Sequence, residues 1–204
     1  MREKKFIKLS AKIFIWFGFY NLILVGLKYL NNSPFSFTSE ARRIISIIPW
    51  YADFFIYIMF FIGMLGLIIH FHNKNMPVPM LLCVPILIAA LFKVANTISV
   101  MFSRPVPEIS NFGLYFISFG MLFIGIILLW KKHVTFFQFI PYLLISLPLL
   151  LLITPINEFL LTISVFGFLS LFFGIGWILI GREMGKWMDE DIHLTAKTVA
   201  SLNA

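Results

Sequence analysis

Between Ile13 and Gly181 the chain is a succession of long apolar runs broken by short polar joints, and that pattern decides its solvent. A hydrocarbon core of about 30 Å is crossed by roughly 20 apolar residues in a helix. Backbone groups inside lipid must be satisfied within the segment, so such runs are read as helices. They fall at about 10–30, 50–71, 78–100, 111–130, 135–153 and 159–181. Hydrophobic residues make up 60% of the chain and charged ones 12%. An ordinary soluble domain carries about 25% charge, so this one has too little polar surface to cover such a core in water. The expectation is an all-α, polytopic transmembrane bundle of six helices over 1–181, followed by a short tail over 182–204.

Lysine and arginine set the orientation, because the side richer in them is retained in the cytoplasm. With the N-terminus inside, Arg2, Lys4, Lys5, Lys8, Lys12, Lys74, Lys131, Lys132, Arg182, Lys186 and Lys197 all fall on one side. Lys28, Arg42, Arg43 and Arg104 fall on the other, where Glu40, Asp53, Glu108 and Glu158 offset them. Both termini are therefore expected to be cytoplasmic, in a plasma membrane or bacterial inner membrane. The +7 net charge is then a cytoplasmic property that attracts anionic lipid headgroups. The cations are scattered over short joints, which argues against nucleic acid as a partner. The basic start resembles a secretory leader, but Trp16, Tyr20 and Asn21 interrupt its apolar part and no small-x-small cleavage site follows, so an uncleaved span is expected. In the longest joint, 31–49, Ser39 is placed to cap a short interfacial helix that Pro49 would end or kink.

Most chemistry is unsupported. The single cysteine, Cys83, lies in an apolar run, which excludes disulfide frameworks and CxxC redox pairs. His70, His72, His133 and His193 are not placed deep in facing spans, so neither a metal site nor haem or any other cofactor is expected. Glu108 and Glu158 have no paired nucleophile or histidine base beside them, which leaves a lipid-acting enzyme as the weakest of three functional readings.

One polar group stands where hydrocarbon penalises it. Lys93 lies about seven residues inside the third run, and a lysine at such depth costs about 3 kcal/mol unless it snorkels or is paired. Asn96 and Thr97 follow at i+3 and i+4 and share its face. Asp53, just inside the second run, is the expected partner, and Asn21 and Lys28 of the first run, seven apart, can line the same outer cavity. The functional reading of this group is a solute or ion site in a transport-related protein or accessory subunit. The structural alternative is an ion pair with a snorkelling lysine.

The sixth run carries small residues, Ser164, Gly167, Ser170, Gly174, Gly181 and Gly185, on one helical stripe. Small residues let backbones approach closely and drive helix packing in lipid. The stripe is expected to serve packing within the chain. Its alternative use, against a second copy or another membrane partner, would make the protein a structural or interaction module. Pro85, Pro141 and Pro148 are expected to kink the third and fifth helices.

Overall fold

The computed structural model describes residues 2–31, 38–101, 109–153 and 171–187. Its helices are α1 (Arg2–Asn31), α2 (Ser39–Asn73), α3 (Pro77–Met101), α4 (Ile109–Trp130), α5 (Phe136–Ile153), and α6 over 171–187. Three contain stretches long and apolar enough to cross a membrane: Glu3–Leu24, Phe54–Asn73 and Pro77–Ser99. Phe116–Trp130 and Phe136–Ser146 are shorter apolar helices.

Helix ends depart from the ends of the apolar runs. α1 begins at Arg2, eight residues before the expected start at Ser10, because Glu3, Lys4, Lys5 and Lys8 are good helix formers whatever their solvent. α2 begins at Ser39 as the cap predicts, but it continues unbroken to Asn73. The short helix expected after Ser39 is thus the first part of α2, and Pro49 does not end it. A proline removes one hydrogen bond, which a helix of 35 residues survives. α3 likewise runs through Pro85. α6 extends to residue 187, past the expected end at Gly181.

The two described turns are built alike. Met76 N–H donates to the Phe71 carbonyl at 2.9 Å and Asn75 N–H to His72 at 3.0 Å. His133 N–H donates to Leu128 at 2.9 Å and Lys132 N–H to Leu129 at 3.0 Å. Both are Schellman closures, with left-handed residues at Asn75 (φ 53°) and Lys132 (φ 56°). Asparagine tolerates that region, whereas lysine pays for its Cβ there. Lys132→Gly is therefore expected to stabilise the protein by about 1 kcal/mol, read as a higher melting temperature of the detergent-purified chain. After this turn α5 opens on a capping box. Thr135 N–H donates to Gln138 Oε1 at 2.8 Å while Gln138 N–H reaches back to the Thr135 hydroxyl at 3.4 Å.

Consecutive helices pack on one another from α1 to α5, and α6 lies between α5 and α1. A Cβ built at Gly176 would lie 2.8 Å from the Pro141 carbonyl oxygen of α5, and one built at Gly181 would lie 2.5 Å from that of Ala11 in α1. The core has an aromatic half, where Phe14, Phe17, Phe60 and Trp177 join α1, α2 and α6, and an aliphatic half around Ile86, Met121, Ile124 and Ile145. The outer surface is apolar too. Trp16, Ile23, Phe55, Leu81, Phe123 and Phe137 are exposed. A surface this apolar on several helices suits an oily solvent better than water.

Candidate functional site

α3 places the polar group. Three and four residues on from Lys93, Asn96 and Thr97 return to the same side of the helix. Thr97 is buried, and its hydroxyl donates to the Lys93 carbonyl at 2.9 Å, so its hydrogen bond stays within the helix. Lys93 is half-buried and engaged in an interaction of its own. Asn96 differs from both. Its Oδ1 is buried and accepts no hydrogen bond.

The neighbouring helices bring the other candidates to related levels. α2 packs antiparallel on α3 through the turn at Asn75. Asp53 precedes that turn by as many residues as Thr97 follows it, so their backbones stand level. The Asp53 side chain lies outside the described residues, as does that of Lys28 in α1. Gly63 of α2 abuts Phe14 of α1, which puts Asn21, seven residues on, level with Ile56 and about one turn from Asp53. Asn21 Nδ2, however, donates to its own helix at Phe17 O, 2.7 Å away. Asn21 and Thr97 thus spend hydrogen bonds on backbone carbonyls, and Asn96 is the group with capacity left over.

The chain matches no protein-family model, no curated protein and no solved structure. Among the described residues no three His, Cys, Asp or Glu side chains gather where they could hold a metal ion. An open depression of about 310 Å³ lies at the α2–α3 turn, lined by His72, Asn75, Met76, Pro77 and Met80. It sits at the opposite end of α3 from Lys93 and has no convergent polar set, so it is a dent beside a turn rather than a site.

The glycine stripe is partly engaged within the chain. Gly174 and Gly181 face α1, the former with its Cβ position 2.8 Å from the Gly18 carbonyl oxygen. At Gly185 the Cβ position meets nothing within 4 Å. Ser164, Gly167 and Ser170 lie outside the described residues. Sequence reasoning missed one further pairing, His70 of α2 stacked on Trp187 of α6 with ring centroids 5.1 Å apart and planes 10° apart. His70 is buried there rather than offered to a ligand. The partners are distant in the chain, so no local spacing announces the stack.

Proposed function

We propose that this is a multi-pass integral membrane protein with six spans and cytoplasmic termini, and that it serves transport, alone or as an accessory subunit, through a polar site in the outer half of the bundle. Lys93 and Asn96 form its core, with Asp53 level with them on α2. The observation that carries the reading is the buried Asn96 Oδ1 without a donor. Leaving such a group unmet costs about 1–3 kcal/mol, a penalty without benefit in a purely structural tie. The same acceptor is ready-made for a hydrogen-bonding solute or for water that precedes it, and ionisable groups at membrane depth mark substrate paths. The competing reading, a module that associates through its glycine stripe, is less favoured because Gly174 and Gly181 are covered by α1 of the same chain.

Water access decides the matter. In a Cys83→Ala background, Asn96→Cys is expected to react with a membrane-impermeant methanethiosulfonate reagent added from outside, whereas Ile88→Cys, on the exposed apolar face of α3, stays unlabelled. An unreactive Asn96→Cys in folded protein would make the polar face a structural feature and end the transport reading.

A further inference from the structure

The basic residues hold an unexpected position once α1, α2 and α6 are aligned. Gly66 abuts Ser10 and Gly63 abuts Phe14, so Lys12 stands level with Met64 and Leu65 of α2. Leu65 is eight residues, roughly 12 Å, inside the Asn73 end of the apolar stretch Phe54–Asn73. Lys12 is nevertheless exposed on the outside of the bundle. Its stem covers about half of that depth, so it does not reach bulk water unaided. Arg182 is its counterpart on α6. It follows Gly181, which touches the Ala11 backbone, and it too is exposed. Two adjacent helices thus present one cation each, at about one level, one turn inside the exposed Lys8 and Lys186.

At this end Lys186 pairs with Glu183 at 2.7 Å and Lys8 has an interaction of its own, but among the described residues Lys12 and Arg182 meet no carboxylate. One turn beyond the Gly181 contact, the Cβ position of Gly185 meets nothing within 4 Å, so the close contact of α6 with α1 does not continue toward the basic end. In the other direction the faces of these cations become oily. Trp16 and Phe19 follow Lys12 at i+4 and i+7, and Ile175 precedes Arg182 by seven residues, all exposed. A pair of cations continued by an apolar rail matches an amphiphile with an anionic head.

We infer that this face of α1 and α6 binds an anionic phospholipid, its phosphate held by Lys12 and Arg182 and an acyl chain laid along Trp16, Phe19 and Ile175. This rests on the proposal that the chain spans a membrane, and goes beyond it in naming a discrete lipid site. A free anion would leave the rail unused.

The test is native mass spectrometry of the full chain purified in detergent and supplied with phosphatidylglycerol, phosphatidylcholine or inorganic phosphate. The expected result is retention of phosphatidylglycerol over the other two. Lys12→Gln/Arg182→Gln should lower that retention roughly tenfold or more, at about 1 kcal/mol per cation. Lys12→Arg/Arg182→Lys should keep it, and so should Lys131→Gln/Lys132→Gln, which removes two exposed charges at the α4–α5 turn. Equal losses from the two glutamine pairs would reduce the effect to general charge and overturn the site, as would phosphate competing as well as lipid. A change of oligomeric mass in Lys12→Gln/Arg182→Gln, with lipid retained, would make this face a protein interface and overturn the site too. If the chain is instead released from membranes by alkaline wash, it is the membrane reading that fails.

Discussion

Gly181→Leu is expected to part α6 from α1 and to cost about 3 kcal/mol, the upper range for overpacking a well-filled contact. A Cβ at this position would lie 2.5 Å from the Ala11 carbonyl oxygen and 2.8 Å from Ile15 Cγ1. The first neighbour is backbone, so no change of rotamer clears it. Seven residues away, Gly174 faces Gly18 equally closely, and the two contacts fix α6 along α1. In lipid the force between helices is close packing rather than expulsion of water, so separating the backbones removes most of what holds them. Gly185→Leu is the internal control. It lies on the same stripe, but its Cβ position meets nothing within 4 Å, and it should melt within about 0.5 kcal/mol of the parent. Melting curves of the purified variants, followed by loss of the monodisperse peak after heating, would show the difference. Coincident curves for the two leucine variants would mean that the glycine contacts do not secure the bundle.

That contrast marks what the sequence can convey. The stripe on α6 was legible as a face because glycine spacing follows the helical period, but spacing alone does not say which glycines touch anything. A matching signal existed in α1, where Ala11 and Gly18 are seven apart just as Gly174 and Gly181 are. Helix ends were less legible. Apolar runs report where the solvent changes, and Arg2 to Lys8 continue a helix past that point because their propensity does not depend on it. The shared face of Lys93, Asn96 and Thr97 could be read from i, i+3, i+4 spacing. That Thr97 and Asn21 bond their own helices, leaving Asn96 with an unmet acceptor, could not, because it depends on rotamers. In the sequence Lys12 is one of several cations expected on the cytoplasmic side. Its depth became visible only through Gly63 and Gly66, which set α2 against α1.

Trp177→Ala is expected to be the most damaging single change, costing about 3–5 kcal/mol. Trp177 is fully buried, and its ring meets Phe60 of α2 at 4.9 Å, Phe14 and Phe17 of α1 at 5.0 and 5.6 Å, and Phe173 of α6 at 6.2 Å. One side chain therefore joins three helices, and its loss leaves a void bounded by phenyl rings and by glycine contacts already at backbone distance. Such walls close poorly over a void, so most of the lost dispersion contact is not regained. The indole Nε1 accepts this site without a hydrogen-bond partner. Phe60 and Phe17 lie nearly perpendicular to the indole, at 89° and 88°. Trp177→Phe should therefore lose less than half as much as Trp177→Ala, since it keeps an aromatic body and removes the N–H together with its demand. Trp130→Ala, at a position 81% exposed, should leave stability almost unchanged. If thermal unfolding ranks Trp177→Ala with Trp130→Ala, the aromatic cluster is not what binds α6 to α1 and α2, and the joint must lie in the glycine contacts alone.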